Sequence, residues 1–255
     1  MDTIKIGKAY VNNVTQQEAI EEIDRMINAD EKTYIVTPNL DHIVKLETDD
    51  EFVKCYKNAG MILADGNPLV WASKILGTPL KALVTGSDLF PALCEHAAAM
   101  GHRLFFLGGL DGIAQKAADN LKILYPAINV VGVYSPPFGF DKNDEENNRI
   151  IEMINAVKPH LLFVGVGAPK QEKWMYRNIA SLNINVAVGI GASFDFVAGS
   201  IKRAPAMVRK MGMEWFWRFA NEPRRLFKRY FIDSTAFIPI IYKQMKEDRR
   251  RKNLN

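Results

Sequence analysis

Leu161-Leu162-Phe163-Val164-Gly165 runs straight into Val166-Gly167-Ala168-Pro169-Lys170-Gln171-Glu172. The first run is apolar without alternation, which suits a strand buried on both faces rather than one with a wet side. Glycines and a proline then break the chain, and an amide with two charges opens a helix. The same order of apolar run, break and helix recurs outward in both directions. Tyr34-Ile35-Val36-Thr37, Met61-Ile62-Leu63-Ala64, Leu104-Phe105-Phe106-Leu107, Asn129-Val130-Val131-Gly132-Val133 and Val186-Ala187-Val188-Gly189 read as further buried strands. Helix signals lie between them. Thr15 and Glu18 form a capping box ahead of Ile20, Ile23 and Met26. Asp49-Asp50 reads as a helix start. Asp111 is expected to cap a helix ending near Leu124, and another helix spans about Asn143 to Val157 before Pro159. Such alternation implies an α/β fold, its sheet mostly parallel and covered by helices on both faces.

A chain of 255 residues accommodates one sizeable α/β domain and an appendage. With 48% hydrophobic and 24% charged residues, its composition is that of a globular protein and argues against disorder. The first residues lack the apolar core of a signal peptide. The longest candidate for a membrane span, Thr235 to Tyr242, is too short and contains Pro239. A cytoplasmic chain is therefore expected. Cys55 and Cys94 each fall inside an apparent helix, so neither a disulfide framework nor a zinc site is expected. Charge is unevenly spread: residues 1–201 carry 18 Lys+Arg against 24 Asp+Glu, while residues 202–255 carry 15 against 5. The shift divides the chain into a body, 1–200, and a basic, aromatic, helical appendage, 201–255.

Ligands of open α/β sheets bind outside the carboxyl ends of the strands, and several strand ends here carry polar or glycine-rich sequence. Asp65 follows one strand and precedes Gly66; a carboxylate there can act as a general base or cap the next helix. Thr37 and Asn39 flank Pro38 and either face the same crevice or serve the turn. Gly108-Gly109 opens a helix, where backbone N–H groups suit phosphate, although a tight turn needing positive φ asks for the same residues. Gly165-Val166-Gly167 poses the same choice, with Gln171 close behind. Neither glycine run completes GxGxxG: one reaches Lys170 and the other Phe194 where the last glycine should be.

Taken in order, these segments resemble a known family. Thr37-Pro38-Asn39, Ala64-Asp65-Gly66-Asn67-Pro68-Leu69-Val70-Trp71, Thr85-Gly86-Ser87-Asp88-Leu89, Phe105-Phe106-Leu107-Gly108-Gly109, Gly165 through Trp174, Gly191 through Gly199 and Arg203-Ala204-Pro205 look like the WecG/TagA/CpsF glycosyltransferases. The match runs from about residue 3 to residue 231. The resemblance implies a Rossmann-like catalytic domain and metal-independent, inverting transfer from a UDP-sugar, with no cofactor. In known relatives, N-acetylmannosamine or its uronic acid goes onto undecaprenyl-diphosphate-linked N-acetylglucosamine, for wall teichoic acid or a similar surface glycan. The proposed base of the family falls on Asp65, with Thr37, Asn39 and Gln171 in the same pocket. Gly108, Gly109, Gly167 and Arg103 are further candidates to hold substrate. One departure stands out: relatives usually carry Arg where this chain has Leu83. If that Arg contacts the donor diphosphate, either Lys81, Arg103 or a tail arginine supplies the charge here or activity is altered.

From Lys202 onward basic and aromatic residues interleave, the composition of helices that lie in a bilayer interface. An anionic membrane surface at the inner face of the cell membrane is therefore an expected partner, alongside the UDP-sugar and the polyprenyl-linked acceptor. The resemblance further suggests that Arg218, Arg224 or Arg225 folds over the pocket onto the donor diphosphate. No nucleic-acid motif accompanies the basic run. The sequence is silent on oligomeric state, although an exposed apolar tail favours self-association into a homo-oligomer when no membrane is present. Two rival functions share these features. A nucleotide-dependent oxidoreductase is disfavoured by the broken glycine fingerprint, and a non-catalytic nucleotide-sugar-binding membrane adaptor is encouraged by Leu83 alone.

Overall fold

The computed structural model describes residues 1–205, 207, 208, 217 and 233–252. The chain opens with an antiparallel hairpin, β1 (Thr3–Ile6) and β2 (Ala9–Asn12), closed at Gly7, which adopts a φ of +59°. Six further strands follow: β3 (Thr33–Val36), β4 (Met61–Ile62), β5 (Arg103–Gly108), β6 (Asn129–Tyr134), β7 (Leu161–Gly165) and β8 (Val186–Gly189). They pair in parallel throughout, in the order β4-β3-β8-β7-β5-β6. All six are the apolar runs singled out above. The hairpin was not anticipated, because four-residue strands alternating Ile4, Ile6, Ala9 and Val11 give too short a period-2 signal.

Alternate strand residues go to opposite faces, and both faces are buried except along β6. That strand, expected above to be buried, has Asn129 exposed and the rest half-buried because it lies at the sheet edge. Leu104, Phe106, Leu161, Phe163, Val186 and Val188 join a core with α1 (Gln16–Asn28), α5 (Gly86–Met100), α6 (Ile113–Leu124) and α9 (Ser193–Ala198). Phe105, Leu107, Leu162, Val164 and Ala187 join a second core. That face is covered by the hairpin and by α2 (Leu40–Leu46), α3 (Asp50–Lys57), α4 (Asn67–Ile75), α7 (Asp144–Val157), α8 (Lys170–Asn178) and α10 (Asp233–Lys252). Continuous apolar strands follow directly from this two-sided covering. Phe90 anchors the first core with edge-on contacts to Phe106, Phe163 and Phe194.

The capping box at Thr15 and Glu18 is formed, Asn143 caps α7 and Asp49 caps α3. Asp111 does not cap α6. Its N-cap is Gly112, with a φ of +74° and no side-chain cap bond. The backbone there turns through a left-handed residue that only glycine adopts cheaply, so the N-cap position falls on Gly112 rather than on Asp111.

The appendage is tied to the body at its far end. α10 packs on α2 and buries Phe237 and Ile241 in the second core. Gln244, also buried, accepts from the Gly7 N–H at 2.8 Å and donates to the Lys5 carbonyl at 2.8 Å. Among the described residues, no helix is long and apolar enough to cross a membrane.

Candidate active site

β3 and β8 are neighbours in the sheet, and the helices that follow them, α2 and α9, join opposite cores. Loops leaving those strands diverge, and the crevice between them is the expected ligand site. A cleft of about 550 Å³ opens there, lined by Thr37, Asn39, Asp65, Trp71, Leu83, Ser87, Gly167, Gln171, Gly191 and Ser234 among others.

Asp65 sits where β4 gives way to α4. Its backbone N–H donates to the Pro38 carbonyl at 2.8 Å, lacing the two strand-end loops together. Its carboxylate does not cap the following helix, whose N-cap is Gly66 at a φ of +120° with no side-chain bond. Instead Oδ2 accepts from the backbone N–H of Gly86, the first residue of α5, at 3.4 Å. The amino end of a helix is a favourable place for an anion, so the fold delivers a half-buried carboxylate to the cleft with a reason to stay there.

The neighbouring groups are held more tightly. Thr37 is buried and donates from Oγ1 to the Gly189 carbonyl at 3.1 Å, bridging the ends of β3 and β8. Asn39 is the N-cap of α2, its Oδ1 accepting from the Asp41 N–H at 3.0 Å, so its turn role and its place in the cleft coexist. Gln171 lies in the first turn of α8, 2% exposed. Its Oε1 accepts from the Gly191 N–H at 3.1 Å and its Nε2 donates to Glu172 Oε1 at 2.7 Å. Burial pushes the Glu172 carboxyl up to about 7, against the opposing pull of the Gln171 bond. Beside the cleft, His42 Nδ1 and the Tyr56 hydroxyl bond at 2.7 Å.

Thr37, Asn39, Asp65, Gly167 and Gln171 are thus brought together. Gly108 and Gly109 are not. A Cβ on Gly108 would stand 2.4 Å from the Gly165 carbonyl oxygen, and the Gly109 N–H is spent on that same oxygen at 3.0 Å. Both have positive φ, so the turn reading accounts for them. Arg103 is at the amino end of β5, the wrong end of the sheet for the cleft, where its guanidinium donates to the Lys158 carbonyl at 2.9 and 2.6 Å. Lys81 points to Glu18 at 3.0 Å. Neither supplies the charge missing at Leu83, which lines the cleft. Arg218, Arg224 and Arg225 lie outside the described residues.

A basic group that sequence reasoning left in the tail does reach the rim. Arg203 Nη2 donates to Asp88 Oδ1 at 2.6 Å and Ser87 Oγ at 3.1 Å, and its guanidinium lies 6.0 Å from the Phe196 ring centroid. Ser87 and Phe196 both line the cleft. Glu172 and His42 were missed too, since a buried Glu inside a helix-opening motif looks like any first-turn carboxylate.

The sequence profile described as the Glycosyl transferase WecG/TagA/CpsF family matches residues 4–251. The chain belongs to this family. As a WecG/TagA/CpsF glycosyltransferase it is an enzyme, and five of the seven motifs that carried the resemblance contribute lining residues to the cleft. It is similar to the N-acetylglucosaminyldiphosphoundecaprenol N-acetyl-beta-D-mannosaminyltransferase of Bacillus spizizenii. That relative is 32% identical over 192 residues, which cover 75% of this chain and 72% of the relative. The protein of the same description from Staphylococcus aureus strain MW2 is 30% identical over 245 residues, covering 94% of this chain and 91% of its own.

Proposed function

We propose that this glycosyltransferase moves N-acetylmannosamine, or a close relative of it, from a UDP donor to undecaprenyl-diphosphate-linked N-acetylglucosamine, with inversion. The observation that carries the reading is the placement of Asp65: a carboxylate inside the strand-end cleft, at the amino end of α5, among Thr37, Asn39 and Gln171. The named activity of the relatives supplies the sugars.

In this reading an acceptor hydroxyl attacks the anomeric carbon while Asp65 takes its proton. The bond from that carbon to the diphosphate oxygen breaks, and UDP departs with the electron pair. A general base contributes about 10²–10⁴-fold. Thr37, Asn39 and Gln171 orient sugar hydroxyls, where a displacement of about 1 Å costs about 10²-fold. Arg203 and the tail arginines Arg218, Arg224 and Arg225 are the cations offered to the leaving diphosphate, a role that preorganised donors fill well. The proposed transfer needs no metal. The chain works at the inner face of the membrane, because the acceptor's lipid cannot leave it. Lys243, Lys246, Arg249 and Arg250 on the exposed side of α10 would meet anionic lipid there.

The test is UDP release from a panel of UDP-sugars with a short-chain lipid-diphosphate-GlcNAc acceptor. Acceptor-dependent release with UDP-N-acetylmannosamine supports the reading. Folded protein that releases nothing from any donor overturns it and favours the adaptor.

A further inference from the structure

Behind the cleft wall lies a carboxyl that the reaction above does not use. Glu172 is wholly buried, and its Oε2 has no hydrogen-bond partner among the described residues. An unsatisfied buried carboxyl oxygen is costly, and such groups in native structures call for a reason. Its other oxygen shows what the reason is. Oε1 receives the Gln171 Nε2 donor at 2.7 Å, while Gln171 Oε1 receives the Gly191 N–H at 3.1 Å.

The two ends of a glutamine amide are nearly the same shape, so only the partners decide which end points where. Here the partners are opposite in kind: a backbone N–H can only donate, and an ionised carboxylate can only accept. Flipping the amide would set donor against donor and acceptor against acceptor. Gly189 leaves the room the amide needs, since a Cβ there would stand 3.0 Å from Nε2. One N–H of Nε2 is taken by Glu172. The second has no acceptor among the described residues, and Gln171 lines the cleft.

We propose that Glu172 is a positioning residue, locking the Gln171 amide so that its oxygen holds Gly191 and its second N–H is presented to a substrate oxygen in the cleft. The inference rests on the glycosyl-transfer reading for its kinetic consequence, but the lock itself does not. Around the pair stand Asp41, His42 and Lys45 of α2, Cys55 and Tyr56 of α3 and, across the cleft, Asp65. Burial places the Glu172 titration at about 7, so the charged acceptor end of the lock is present above neutrality and weakens in acid.

Two measurements on the full chain test this. In ¹⁵N-labelled protein, the side-chain amide of Gln171, assigned by its loss in Gln171→Leu, should shift with pH near neutrality. In Glu172→Gln, whose carbonyl still accepts, that titration should vanish while the amide signals stay dispersed. In Glu172→Leu, of similar size, kcat should fall about 10²-fold with the melting temperature held or raised, because a buried charge has been removed. Glu172→Gln should restore kcat to within several-fold of wild type. A folded Glu172→Leu with wild-type kcat and KM overturns the proposal, and so does a Gln171 amide that ignores both pH and Glu172→Gln. Should wild type turn over no donor, the transfer reading fails, and the amide titration still decides the lock. Should Glu172→Leu not fold, the Glu172→Gln spectra decide it alone.

Discussion

Replacing Asp65 with Asn separates chemistry from architecture at this site. The amide retains an oxygen that can accept from the Gly86 N–H, now 3.4 Å from Oδ2, and the Asp65 backbone bond to Pro38 at 2.8 Å is untouched. Among the described contacts, the fold loses one negative charge at the amino end of α5, worth about 0.3–1 kcal/mol. For a chain of this size that is about 1–4 °C in melting temperature. Losing the general base costs about 10²–10⁴-fold in rate, or about 2.7–5.5 kcal/mol of barrier. The structural loss is too small to mimic the chemical one, so a single variant distinguishes them. The assay is acceptor-dependent UDP release at saturating donor, with thermal melts on the same samples. More than about a tenth of wild-type kcat, with the melt unchanged, would refute the assignment of Asp65 as base. A rate loss accompanied by a large drop in melting temperature would refute the claim that the carboxylate is architecturally dispensable.

Leu83→Arg places a guanidinium in the cleft and should tighten UDP binding several-fold, about 1 kcal/mol, read by titration calorimetry; unchanged affinity would mean that the donor diphosphate lies elsewhere. Phe237→Ala removes a buried α10 anchor and should cost about 3 kcal/mol, seen as a lowered denaturation midpoint. For this reason truncation near residue 200 is a poor test of membrane binding, since it strips the second core. Charge reversal at Lys243 and Arg250, both exposed, should weaken binding to anionic vesicles by about 1 kcal/mol per residue or more while leaving the melt unchanged; equal vesicle binding would remove α10 from the membrane contact. Burial, then Arg103 and His102, holds the His160 imidazole below its ordinary value, and its Nδ1 accepts the Arg103 N–H at 3.1 Å, which demands the neutral ring. The unfolded chain therefore binds that proton first. The His160 contribution to stability should be full above about pH 6.5 and be lost as pH drops below it. His160→Gln should flatten that limb of the melting curve against pH, and an unaltered limb would exclude His160 as its source.

Six sheet strands were legible as apolar runs. Five are buried because a parallel sheet covered on both sides makes that necessary, whereas β6, at the sheet edge, begins at Asn129, carries Gly132 and is only half-buried. The capping box at Thr15 and the Asn143 cap were legible because they are local chemistry within four residues. Asp111 was misread for the opposite reason: whether a residue caps depends on the φ of its neighbour Gly112, which no side-chain pattern states. Gly108 and Arg103 failed as site residues by the same logic at longer range. Glycine serves equally for close strand approach and for phosphate, and only the Gly165 carbonyl decides between them. Arginine at a strand end is useful only at the carboxyl end of the sheet.

The sequence alone therefore determined the fold class, the family and the short list of polar strand ends, since these depend on period, composition and ordered motifs. Tertiary structure decided which of those ends meet. The order β4-β3-β8-β7-β5-β6 brings Thr37, Asp65, Gln171 and Gly191 from four separate strand ends to one cleft and leaves Gly108 outside it, packed against the Gly165 carbonyl. It also placed Glu172 behind Gln171 and docked α10 on α2. Gln171 and Glu172 are neighbours in sequence, but the other pairings join residues far apart in the chain, and their energies come from burial and from hydrogen bonds that exist only once the sheet has closed around them.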